Sequence, residues 1–153
     1  MVNRILVPLD GSKLAEGVLS FVEALTGQLH AELFLVEVVT PEPEAWARAE
    51  EPPHPVSGQS EWEARGIQTA VAYLTDTAAA LQAKNINVKW EVVEGAAAAA
   101  IVNFAHSHSI DPIAMSTHGR SGLSRLVFGS VADQVMREAG IPVLMVRPSH
   151  VAA

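Results

Sequence analysis

Ser116–Ser130, STHGRSGLSRLVFGS, is the stretch on which the chain turns. A short apolar run, Pro112–Met115, leads into it, and a helical pattern, Val131–Glu138, leads out of it. Between the two stand Gly119, Gly122 and Gly129, with hydroxyls at Ser116, Thr117, Ser121, Ser124 and Ser130. Glycine lets backbone N–H groups come close to a ligand, and the first turn of a helix carries unpaired N–H donors and the positive end of the helix dipole. Such a joint suits a phosphate group. It serves equally well as an ordinary strand-to-helix connection.

The same joint recurs along the chain in both directions. Ile5–Leu9 is an apolar, partly β-branched run that reads as a fully buried strand, and Asp10-Gly11-Ser12 turns it, with Ser12 as a candidate N-cap. Leu14, Val18, Val22 and Leu25 then recur at helical spacing until Gly27. Ala31–Val39 reads as a second strand. From Glu61, a stripe of Ile67, Val71, Leu74, Ala78 and Leu81 predicts a long helix packed on a sheet, closed by Asn85. Val88, Trp90 and Val92 alternate with Lys89 and Glu91, as in a strand at a half-exposed sheet edge. The run Ala96–Ala100 with Ile101, Phe104 and Ala105 predicts the next helix, which Ser109-Ile110-Asp111 ends. Beyond the glycine-bearing loop, Val131 and Val135 give the last helix its apolar face, Gly140 caps it, and Pro142–Val146 is the last strand.

Strands alternating with helices predict an α/β fold: a doubly wound, five-stranded parallel sheet, Rossmann-like, with helices on both faces. In such sheets ligands sit beyond the carboxyl ends of the strands, at the topological switch point. The whole of 1–153 reads as one domain, with a proline-rich surface connection over 40–60 and a tail over 148–153. Trp46, inside that connection, is either a local hydrophobic anchor or a lid or partner contact.

Composition narrows the function. A net charge of −7 argues against nucleic acid and anionic membranes as partners. The absence of cysteine removes disulfides, thiol nucleophiles and cysteine metal sites. MVNRILVPLD is too short an apolar run for a signal peptide or a membrane span, so a cytoplasmic protein is expected. There is no GxxxxGK[ST], no GxGxxG and no GxSxG, since Leu123 stands where that last motif needs its second glycine. His106 and His108 lie two apart, on different faces of a helix, and make a poor metal pair. His118 has no neighbouring carboxylate to orient it as a base, so loop packing or ligand contact suits it better. Arg120 and Arg125 could face phosphate or solvent. Asp10 either closes its turn or accepts from a ribose or holds a divalent cation through oxygen.

ILVPLDGS at Ile5–Ser12 and STHGRSGLSRLVFGSVADQVMREAGIPVLMVRP at Ser116–Pro148 resemble the universal stress protein family, and the likeness covers nearly the whole chain. ATP-binding members of that family carry Gly, two residues, Gly, nine residues, then Gly and Ser or Thr. Here Gly119, nine residues, Gly129 and Ser130 match, and Ser116 stands where the first glycine is expected. The resemblance implies an ATP-binding stress-response or signalling protein, with Mg2+ or Mn2+ accompanying the nucleotide through Asp10. Pro8, Asp10 and Val38 would line the adenosine end, and Gly119, Gly129, Ser130 and Val131 the phosphates. Ser116, His118, Arg120 and Gly122 complete the candidate set. It also implies a homodimer formed through the last strand, 142–146. Some members lack the motif and bind no ATP, so a nucleotide-free dimeric scaffold is the alternative, and a slow ATPase a weaker one. No loop residue is oriented as a base, so hydrolysis is expected to be slow or absent.

Overall fold

The computed structural model describes residues 3–40, 61–116 and 129–147. The expectations for the 41–60 connection, for Thr117–Phe128 and for the tail from Pro148 lie outside the described residues. The elements are β1 (Arg4–Leu9), a 3-10 turn (Ala15–Val18), α1 (Leu19–Leu29), β2 (Glu32–Val39), α2 (Glu61–Gln82), β3 (Val88–Glu94), α3 (Ala97–Ser107), β4 (Ile113–Ser116), α4 (Ser130–Glu138) and β5 (Val143–Val146).

The five strands are parallel and lie in the order β3-β2-β1-β4-β5. Side chains alternate across a strand, so each central strand feeds two cores. On one face Ile5, Val7, Leu33 and Leu35 pack with Val18, Val22, Leu74 and Ala78 of the 3-10 turn, α1 and α2. On the other, Leu6, Phe34 and Val36 pack with Ile101, Phe104 and Val135 of α3 and α4. That double burial is why β1 and β2 read as unbroken apolar runs. β3 lies at one edge, and its Lys89, Glu91 and Glu94 are exposed, as its alternation predicts. β5, half-buried throughout, is the opposite edge.

Two local expectations are corrected. The pattern from Leu14 to Leu25 is not one helix: a 3-10 turn over Ala15–Val18 precedes α1. Nor does Gly27 end α1, which continues to Leu29 and stops where His30 enters the left-handed region at φ 51°. A glycine inside a helix costs about 1 kcal/mol against alanine but leaves the hydrogen-bond ladder intact, so it is a weak stop on its own. Ser12 is not the N-cap of this segment, a place that Leu14 takes with no side-chain bond, although the Ser12 Oγ accepts the Ala15 N–H at 3.2 Å.

The second correction concerns α2. Its buried positions are Ala70, Leu74, Ala78 and Leu81, whereas Val71 is 38% exposed and Ile67 only part-buried. The helix is rotated toward its small residues. A Cβ at Gly66 would meet Val39 Cγ1 at 3.2 Å, so the absence of a side chain lets α2 come close to the end of β2. A stripe counted by large side chains misses a contact made by glycine and alanine.

Candidate functional site

β1 is followed by β2 and β3 on one side, while β4 and β5 lie on its other side. The winding therefore reverses between β1 and β4, and a crevice opens beyond their carboxyl ends. A cavity of about 400 Å3 occupies it, a size suited to a small organic ligand. The end of β1 contributes Pro8, Leu9 and Asp10, the next turn Leu14 and Ala15, β2 Val38, α3 Ala97 and Ile101, β4 Met115 and Ser116, and the start of α4 Gly129, Ser130, Val131 and Ala132.

Of the residues singled out by sequence, Pro8, Asp10, Val38, Ser116, Gly129, Ser130 and Val131 are thus brought to one cavity. His118, Gly119, Arg120 and Gly122 lie outside the described residues. The apolar walls, Leu9, Leu14, Ala15, Ala97, Ile101, Met115 and Ala132, were not anticipated. Ala97 and Ile101 lie one turn apart and could have been read as a wall, but alanine in a helix carries no signal of its own.

Polar groups converge at the cavity's rim. Asp10 Oδ1 accepts the Ser12 N–H at 2.9 Å and so closes the turn after β1. Gly129 is the N-cap of α4, with φ −57° and ψ 155°, and no side chain among the described residues caps the helix. Its backbone is open to any residue; what glycine supplies here is the lack of a side chain beside the first-turn N–H groups. Those donors, with the dipole behind them, favour an anion. Ser116 ends β4 in regular parallel pairing with Val146, so the extended backbone holds serine without strain. Its Oγ donates to Ala15 O at 3.3 Å, linking the lips of the crevice across 101 residues of sequence.

Behind the cavity, on the α2 face of the sheet, the end of β2 is acidic. Glu37 Oε2 is buried with no hydrogen-bond partner among the described residues, and burial, then the Asp10 charge, push its carboxyl above the usual glutamate range. Tyr73 donates to Glu16 Oε1 at 2.8 Å, and burial with that bond pushes its phenol up as well. Among the described residues no group of three or more His, Cys, Asp or Glu is gathered to hold a metal ion.

A second hollow of about 480 Å3 lies at the opposite end of the sheet, lined in part by Arg4, Phe34, Lys89 and His108. Its cations are already paired: Arg4 and Lys89 share Glu32 at 3.5 and 2.7 Å. The histidines of α3 point apart, as expected. His106 Nε2 lies 2.6 Å from Ala139 O, and the His108 ring stacks on Phe104 at 3.8 Å between centroids. No described helix is long and apolar enough to cross a membrane.

A sequence-family model described as the universal stress protein family matches residues 1–147. The chain belongs to the universal stress protein family. Its relatives include universal stress protein MJ0531 of Methanocaldococcus jannaschii, 28% identical over 147 residues that span 96% of this chain and 83% of the relative. A crystal structure of a universal stress protein family member from Burkholderia pseudomallei superposes with a TM-score of 0.73 at 26% identity, covering 96% of each chain. A universal stress protein solved in complex with cAMP has a TM-score of 0.69 at 19% identity, covering 97% of this chain and 98% of that one. At that identity the likeness is one of fold, and the fold is this family's parallel α/β sheet.

Proposed function

We propose that this universal stress protein binds an adenine nucleotide, ATP, in the switch-point cavity. It would act in the cytoplasm as a stress-response or signalling protein through nucleotide-dependent association. The observation that carries the reading is the N-terminus of α4, which no side chain among the described residues caps, opening on an apolar cavity between β1 and β4. Apolar walls at Val38, Ile101 and Met115 suit a purine base, and the first-turn N–H groups at Ser130 and Val131 suit phosphate. Gly119, with His118, Arg120 and Gly122, would complete the phosphate end, and Asp10 the ribose or a nucleotide-borne Mg2+ or Mn2+. Support from outside the chain is that a neighbour of the same fold is described with cAMP.

The chain would work as a single domain and as a two-fold dimer through 142–146. The support is that β5 is an edge strand of apolar side chains, and an uncovered edge favours pairing with a second copy. Hydrolysis is expected to be slow or absent, since His118 has no neighbouring carboxylate in sequence to orient it as a base. Denaturing the purified protein and chromatographing the supernatant tests the binding reading. Released adenine nucleotide is the expected result. If none is released and ATP at millimolar concentration gives no heat of binding, the chain is a nucleotide-free scaffold.

A further inference from the structure

The hydrogen bond that spans the crevice involves Ser116, the residue that departs from the family's nucleotide-binding pattern. A serine hydroxyl has one proton and two acceptor lone pairs. In this structure the proton is directed at Ala15 O. Both residues line the cavity, so what Oγ has left to offer a ligand there is lone pairs. A lone pair accepts from a donor and repels another acceptor. Phosphate oxygens at neutral pH are acceptors, whereas a ribose hydroxyl can donate. A hydroxyl that already donates is polarised and becomes a better acceptor. Turning the proton toward phosphate instead would give up the bond to Ala15.

Position agrees with this chemistry. Ser116 stands on the last residue of a strand paired to β5, so its Cβ is placed by the sheet rather than by a loop. Its acceptor belongs to the turn that follows Pro8 and Asp10 at the end of β1, whereas the first-turn donors of Ser130 and Val131 belong to a different element, α4. Resting on the nucleotide reading above, we infer that Ser116 reads the sugar: with its proton held by Ala15 O, it accepts a hydrogen bond from one ribose hydroxyl. It is a specificity-determining residue for ribonucleosides and takes no part in phosphate binding.

The test is calorimetric titration of ATP, 2′-deoxy-ATP, 3′-deoxy-ATP and ADP into wild type, Ser116→Ala and Ser116→Gly, with thermal melts to show that each variant folds. Wild type is expected to bind one of the two deoxy analogues roughly two- to tenfold more weakly than ATP, the range of one net neutral hydrogen bond. In both serine variants ATP and that analogue should bind alike, while the ATP-to-ADP ratio stays the same in all three proteins. A deoxy penalty that persists in Ser116→Ala and Ser116→Gly, or a change in the ATP-to-ADP ratio, overturns the sugar contact and leaves nucleotide binding standing. Wild type that binds none of the four ligands overturns the nucleotide reading, and the sugar contact falls with it.

Discussion

Glu37→Gln should stabilise this protein at neutral pH. Glu37 faces α2 from the carboxyl end of β2, in register with Leu9 and Val92, and its Oε2 is buried without a hydrogen-bond partner among the described residues. Its titratable neighbours are Asp10, whose charge opposes a second anion, and Tyr73 with its acceptor Glu16. Because burial and Asp10 raise its pKa in the fold, the native state holds a proton that the unfolded chain releases from about pH 4.5 upward. Stability is therefore fully present below the unfolded value and is lost as pH rises through the folded one. Glutamine keeps the shape and removes the charge. The amide is still polar, so the gain is the excess cost of an unpartnered charge over a neutral group, and the part-buried setting of Glu37 keeps it to about 1 kcal/mol. For a chain of this size that is a rise in Tm of roughly 2–4 °C. Urea and thermal unfolding at pH 7 and pH 4 check it: the variant should be more stable at pH 7, with the difference shrinking at pH 4, where wild-type Glu37 is protonated. A variant less stable than wild type at pH 7 would refute the reasoning, since it would mean that the Glu37 carboxylate is paired in the fold.

Gly129→Val puts a branched side chain beside the first-turn N–H groups of α4 and should weaken ATP binding by at least about tenfold, or 1.4 kcal/mol; equal affinity by calorimetry, with the fold intact, would contradict the phosphate site. Leu74→Ala should cost about 2–5 kcal/mol because Leu74 is fully buried, while Val71→Ala, at an exposed position, should stay within about 0.5 kcal/mol. Comparable losses from the two would restore the stripe read from large side chains and reject the rotated helix. Light scattering should report a dimer at micromolar concentration, and a monomer there would remove the β5 edge as an assembly surface.

Much of the fold could be read along the chain because a doubly wound sheet writes itself locally. β1 and β2 are buried on both faces and so appear as apolar runs, and β3 announces its edge position through Lys89 and Glu91. What escaped reading was decided by contacts between distant segments. Whether Leu14–Leu25 forms one helix depends on how the turn after β1 packs on β4, which no local periodicity contains. The face that α2 buries depends on Gly66 meeting Val39, a contact made by the absence of a side chain.

The candidate site divides in the same way. Asp10, Gly129 and Ser130 could be found from sequence because a strand end and a helix start are local events whose residue types carry their chemistry. Ala15 could not, since an alanine beside a turn has nothing to announce and its carbonyl becomes significant only when Ser116, 101 residues away, arrives within 3.3 Å. That meeting follows from the strand order, which seats β4 against β1 and so brings the turn after one strand over the end of the other. Topology alone would have brought any residue at 116 to this lip. A glycine there could make no bond to Ala15. Serine converts a place of close approach into a held acceptor, so the residue that breaks the family's pattern is also the one whose chemistry at the crevice is newly defined.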